Sequence, residues 1–174
     1  MKSKFFYLIL LGLALILVEL LGRSVPRLNL ALSPLIVTTT VSRVIDGDTI
    51  EVNLNGKLEK VRLIGIDSPE IVDPRKPIQC FAKEASDKAK SLLTNQIIRL
   101  ESDVSQGERD KYGRLLRYVF LNDNNFNKLM ISEGFAHEYT YNIPYKYQKE
   151  FKNAESQARE NKKGLWSDNS KCYN

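Results

Sequence analysis

The chain has 174 residues, 43% apolar and 27% charged, with nine glycines, six prolines and two cysteines, a make-up that excludes collagen-like, low-complexity and disulfide-dense classes. Its formal charge is +5, but the first 30 residues set Lys2, Lys4, Arg23 and Arg27 against Glu19 alone, leaving 22 basic and 20 acidic residues in a nearly neutral body. Two cysteines and the single His137 argue against zinc centres and histidine-dependent triads, and no phosphate-loop or dinucleotide glycine motif occurs, so hydrolytic chemistry falls to carboxylates, arginines or tyrosines.

Phe5 to Gly22 is apolar except for Glu19 and follows Lys2 and Lys4, the order of an export signal. As a helix these residues reach about 27 Å, close to the thickness of a bilayer core. The small residues near Ala31 and Ser33 make a weak cleavage pattern, and Glu19 is tolerable near the outer end of a span. A cleaved signal peptide and an uncleaved membrane anchor both stay open. A buried core helix is disfavoured, since nothing here is amphipathic. The reading divides the chain into residues 1–22 as a leader, 23–34 as a linker and 35–174 as one exported folded body. Export gives Cys80 and Cys172 a reason to pair, because oxidising compartments favour a disulfide tying the tail to the body; two unrelated buried thiols are the alternative.

After the linker the pattern turns to strands. Leu35 to Thr40 and Val44-Ile45 lead into Asp46-Gly47-Asp48-Thr49, and Ile50, Val52 and Leu54 alternate up to Asn55-Gly56, a two-residue hairpin turn. Leu58 to Ile66 returns. Pro69 to Gln79 holds three prolines and reads as a surface loop. A helix is predicted over Phe81 to Leu93, strands over Ile97 to Glu101 and Arg114 to Leu121, a short helix over Phe126 to Glu133 stopped by Gly134, and a longer helix over Tyr145 to Lys162 ended by Gly164. About five short strands with three helices in one body predict an α+β fold: a five-stranded β-barrel of the OB kind with about three packed helices, preceded by the hydrophobic N-terminal helix.

Asp-Gly-Asp-Thr between two strands is also a common turn composition. It gains meaning from Asp67-Ser68-Pro69-Glu70, which places two further acids just past a strand end. Carboxylates and a backbone carbonyl form the shell a hard divalent cation prefers; helix capping by Asp67 or Ser68 is the competing account. Arg62 interrupts the apolar run from Val61 to Ile66, so it needs a buried partner or projects into a polar site. Arg114, after Asp110-Lys111-Tyr112-Gly113, adds a second planar donor. Two guanidiniums beside an acid-bound cation suit a phosphodiester.

From Val41 to Trp166 the sequence resembles the staphylococcal nuclease family, the thermonuclease-like OB-fold enzymes. The resemblance is carried by Val44-Ile45-Asp46-Gly47-Asp48-Thr49, the run Val61 to Glu70, Asp110-Lys111-Tyr112-Gly113-Arg114 and Gly164-Leu165-Trp166. It implies a Ca²⁺-dependent nuclease that hydrolyses the 5′ P–O bond of DNA and RNA with little sequence preference and leaves 3′-phosphates, which the leader is expected to export. Asp48 and Asp67 would be side-chain ligands of Ca²⁺ and Ser68 a ligand through its carbonyl. Glu70 matches the family's proposed general base, and Arg62 and Arg114 would bind the scissile phosphate.

Lys111, Tyr112, Tyr139 and Tyr141 are candidates for nucleic-acid contact, since aromatic faces accept any base. Tyr139 and Tyr141 serve core packing equally well, Lys111 reads also as a solvated lysine, and His137 is expected at the surface. The enzyme is expected to act as a monomer, with membrane attachment through residues 5–22 where the leader is retained. A catalytically silent OB-fold module that binds nucleic acid or protein is the rival from another class, and a phosphodiesterase for small nucleotides is a third reading.

Overall fold

The computed structural model describes residues 33–70, 79–170 and 172, all within one of the chain's two units, Ser33–Asn174. The leader, most of the linker and residues 71–78 of the proline-bearing loop lie outside them, as does the expected N-terminal helix.

The alternating residues around Asn55-Gly56 form the expected hairpin: β2 (Thr49–Leu54) and β3 (Lys57–Leu63) pair antiparallel from Leu54 opposite Lys57 to Thr49 opposite Arg62. Asn55 and Gly56 both have positive φ, the backbone that matches the twist of paired strands. β1 (Ile36–Val44) runs continuously through what the sequence divides into two apolar pieces. Its register shifts between Val41 and Arg43 as it passes β2, and its first half pairs with β5 (Ile97–Glu101). β6 (Leu115–Leu121) lies beside β5 and returns to β3 in parallel, Val61 opposite Leu115, closing a five-stranded barrel.

Val41, Ile50, Val52, Val61, Leu63, Ile98 and Leu100 are buried in the core; each such side chain contributes about 1.5–3 kcal/mol relative to exposure. α1 (Ala82–Leu93) buries Ala82, Ala85, Ala89 and Leu93. A two-residue strand, β7 (Asn124–Asn125), precedes α2 (Phe126–Ser132), and α3 (Gln148–Glu160) buries Phe151, Ala154 and Ala158, the positions its spacing predicts.

Element ends depart from expectation where distant partners intervene. α1 starts one residue later than the pattern, because Phe81 sits at φ 67° and stacks on Phe135 at 5.5 Å between centroids. α3 starts at Gln148 rather than Tyr145, since Tyr145 and Tyr147 pack their rings against Tyr118. The return strand ends at Leu63. Gly65 has φ 78°, and a Cβ there would lie 2.6 Å from the Tyr145 ring, so only glycine allows the bend.

Past that bend, β4 (Ile66–Asp67) pairs with β8 (His137–Glu138), Asp67 opposite His137. His137 is therefore half-buried instead of on the open surface: it is edge-on to Trp166 at 4.8 Å, with Nδ1 3.5 Å from Glu155. Fully buried Asn127 donates to the Ile64 carbonyl at 2.9 Å and accepts from the Val119 N–H at 3.0 Å, fastening α2 and β6 to the bend. A disulfide joins Cys80 to Cys172, with Cα atoms 5.5 Å apart. Among the described residues no helix is long and apolar enough to cross a membrane.

Candidate active site

Strand alternation decides where Arg62 goes. Val61 and Leu63 point into the barrel, so Arg62 between them points outward, beside the turn that precedes β2 and the bend that follows β3. Its Nη2 lies 3.1 Å from Asp48 Oδ2 and 2.9 Å from Asp67 Oδ1, and its Nη1 donates to the Ile66 carbonyl at 2.7 Å and the Leu63 carbonyl at 3.0 Å. Two acids remote in sequence thus meet at one nitrogen. The structural ion pair foreseen for Arg62 exists, but with both acids at once.

The Asp46–Asp48 turn reaches this point because Gly47 has no side chain: a Cβ there would lie 2.7 Å from Ser68 Cβ. Asp48 Oδ2 accepts the Ser68 N–H at 2.9 Å, and Asp48 Oδ1 accepts the Thr49 hydroxyl at 2.9 Å. Asp67 ends β4 and Ser68 follows it, and α1 has no side-chain cap, so neither residue caps a helix among the described residues.

Asp46 is 6% exposed. Burial, then repulsion from Asp48 and Glu70, pushes its carboxyl up to about 7. Asp67 is also raised above the ordinary carboxylate range, first by lost hydration and then by Asp48, against the attraction of Arg62. Four acids therefore crowd one locality in which a single guanidinium bridges two of them.

Arg114 stands immediately before β6, the strand that pairs with β3. Asp110 holds it, accepting from its backbone N–H at 2.9 Å and from Nε at 2.7 Å. Arg114 Nη1 lies 3.4 Å from the Thr49 hydroxyl oxygen, so Thr49 links this arginine to Asp48. Burial works against ionisation of Asp110, but its bonds to Arg114 hold the carboxyl below the ordinary value.

A cleft of about 660 Å³ opens beside these groups and is lined by Arg62, Asp67, Arg114, Lys111, Tyr112, Tyr139 and Tyr141 among others. Tyr112 is 71% and Tyr141 67% exposed, so neither serves the core. The Tyr112 ring lies beneath Lys111 and Arg114, at 5.1 and 5.4 Å. Asp48, Ser68 and Glu70 are not in this wall; Ser68 lines a second cavity together with Asp67, and Glu70 is near enough to Asp46 to act on its charge. Asp46, Thr49 and Asp110 are participants that sequence reasoning passed over, although all three stand inside the motifs it singled out.

Among the described residues no group of three or more His, Cys, Asp or Glu side chains is already arranged to enclose a metal ion. The donor chemistry nevertheless suits a hard cation: Asp46, Asp48, Asp67 and Glu70 offer carboxylate oxygens that outnumber the bridging guanidinium, and the buried Ser68 Oγ has no hydrogen-bond partner among the described residues. A divalent cation held there would offset the repulsion from Asp48 and Glu70 that adds to burial in raising Asp46.

A family model described as "Staphylococcal nuclease homologue" matches residues 60–168. The chain belongs to the staphylococcal nuclease family. It is 48% identical over 130 residues to a thermonuclease of Staphylococcus hyicus, covering 75% of this chain and 76% of that one. It is 44% identical over 126 residues to a thermonuclease of Staphylococcus intermedius, covering 72% and 74%. Endonuclease YncB of Bacillus subtilis is 38% identical over 133 residues, covering 76% of this chain and 63% of that one. As a member of the staphylococcal nuclease family the protein is a phosphodiester-hydrolysing nuclease acting on nucleic acid, on an OB-fold barrel.

Proposed function

We propose that the protein is an exported, Ca²⁺-dependent nuclease that cleaves DNA and RNA with little sequence preference and leaves 3′-phosphates. The observation that carries this reading is the continuous chain of contacts from Asp67 through Arg62 and Asp48 to Thr49 and Arg114, opening on the tyrosine-lined cleft.

In this reading the carboxylates of Asp48 and Asp67 and the carbonyl of Ser68 hold Ca²⁺, an ion suited to oxygen donors in a flexible shell. When bound, the ion supplies Lewis-acid polarisation of the phosphate and a place for water. Arg62 and Arg114 present planar donors to the phosphate oxygens and neutralise the charge gained in the transition state. Arg114, steadied by Asp110, assists the departing 5′ oxygen. Glu70 orients the attacking water and accepts its proton as the water oxygen bonds to phosphorus. The P–O5′ bond breaks, giving one fragment a 3′-phosphate and the other a 5′-hydroxyl.

Tyr112, Tyr139 and Tyr141 give stacking faces with no donor–acceptor code, which supports weak base preference, and Lys111 adds charge near the backbone. The apolar leader directs the domain out of the cytoplasm and tethers it where the leader is retained; the domain acts there as a monomer.

Digestion of single- and double-stranded DNA and of RNA by the full chain, with Ca²⁺ or with chelator, tests this reading. All three substrates are cut with Ca²⁺, cutting stops with chelator, and Glu70→Gln loses at least about a hundredfold in kcat. Turnover indifferent to both chelation and that substitution contradicts it.

A further inference from the structure

Glu70 has an unusual attachment. The chain returns to its main-chain groups at Gln79, whose side-chain Oε1 accepts the Glu70 N–H at 2.8 Å and whose own N–H donates to the Glu70 carbonyl at 3.2 Å. One residue thus satisfies both polar groups of the Glu70 backbone. Gln79 and its neighbour Cys80 are exposed, so burial does not hold them, and hydrogen bonds open to water are individually weak.

The Gln79 carbonyl also accepts the Ala82 N–H at 3.1 Å, at the start of α1, and the neighbouring cysteine adds a covalent tie. Cys80 is bonded to Cys172, 92 residues away in sequence. The tail at Cys172 is anchored in turn: its N–H donates to Ser170 Oγ, whose single hydroxyl proton has the Leu165 and Ser167 carbonyls within reach at 2.8 and 2.7 Å. Leu165 is 1% exposed, and its N–H is bonded to the Gly134 carbonyl. The disulfide also forms a wall of a second cavity, of about 320 Å³, shared with Asp67, Ser68 and Gln79.

We propose that the Cys80–Cys172 disulfide, acting through Gln79, sets the position of Glu70, so that Gln79 is a positioning residue and full turnover requires the oxidised cysteine pair. The inference rests on the reading of Glu70 as the base. A dithiol reductant delivers two electrons and two protons, opens the S–S bond to two thiols and closes to its own disulfide. Gln79 then loses its anchor, and the Glu70 carboxylate loses its fixed approach to the water. In a reducing cytoplasm the newly made nuclease is slow, and export to an oxidising compartment completes it.

The test compares kcat and KM of the oxidised full chain on a DNA oligonucleotide with those of the dithiothreitol-reduced chain, the C80S/C172S pair, Gln79→Met and Gln79→Glu. Gln79→Met keeps shape but removes the acceptor; Gln79→Glu keeps an oxygen at the same reach. Expected are falls of about tenfold in kcat with KM within about twofold for the reduced chain, C80S/C172S and Gln79→Met, and recovery in Gln79→Glu. Combining Gln79→Met with C80S/C172S adds little further loss, because both act on one element. Reduction of wild type needs no substitution, and circular dichroism before and after it separates loosening from unfolding.

A kcat unchanged by reduction or by Gln79→Met, a fall that accompanies unfolding, losses that multiply, or failure of Gln79→Glu to recover overturns the proposal. Glu70→Gln separates the two levels. If it abolishes turnover while the reduced chain and Gln79→Met match wild type, only this inference fails; if Glu70→Gln itself matches wild type, the base assignment fails and takes this inference with it.

Discussion

Asp110 holds Arg114 at two points, accepting its backbone N–H with one carboxylate oxygen and its Nε with the other. The grip leaves the outer nitrogens of the guanidinium facing Thr49 and the cleft. Asp110→Ala therefore lowers kcat by about ten- to a hundredfold through misorientation of a group still present. Arg114→Lys does not preserve function, since an ammonium has neither Nε nor the planar fork. Steady-state kinetics on a defined oligonucleotide checks both.

If Asp48 and Asp67 hold Ca²⁺ as proposed, its binding stabilises the folded state. At a Ca²⁺ concentration about a hundred times its Kd, linkage adds about 2.7 kcal/mol to the folded state. Thermal melts show a rise in Tm on adding Ca²⁺ to chelated protein, and Asp48→Asn or Asp67→Asn removes most of that rise.

Asp103 ties β6 to the segment that leads into α3. Its carboxylate accepts the Tyr118 hydroxyl at 2.6 Å, the Ser105 N–H and hydroxyl, and the Lys146 N–H at 2.8 Å. Burial opposes its charge, but these bonds hold its carboxyl below the ordinary value. A carboxyl depressed in the folded state contributes stability above its unfolded value near about 4, and that contribution is lost as pH falls through the folded value. Denaturant melts from pH 7 downward show a decline beginning below about pH 4. Asp103→Ala costs about 2–4 kcal/mol at neutral pH and shows less of that acid decline.

The hairpin, the barrel strands and the acid and arginine motifs were legible because their signals are local: Asn55-Gly56 between alternating apolar residues, Arg62 inside an apolar run, acids just past strand ends. What was not legible depends on residues far along the chain. The break at Gly65 needs the Tyr145 ring, and the late start of α3 needs Tyr118 to draw Tyr145 and Tyr147 into the core. The Asp46 side chain reads as a turn residue until the barrel buries it beside Asp48. Gln79 carries no motif; its contact with Glu70 joins residues nine positions apart, beyond the reach of any local pattern.

Gly65→Ala tests that break. A methyl group there meets the Tyr145 ring and holds a left-handed φ that alanine adopts only with strain. The expected cost is about 3 kcal/mol or more, measured by urea unfolding, with loss of activity because β4 carries Asp67.

The most direct test is a double-mutant cycle in kcat/KM for Arg62→Ala and Arg114→Ala. Each single change loses at least about a hundredfold, and the double variant loses clearly less than the product of the two, as expected when both guanidiniums serve one phosphate. Wild-type turnover in either single variant, or losses that simply multiply, contradicts a shared site.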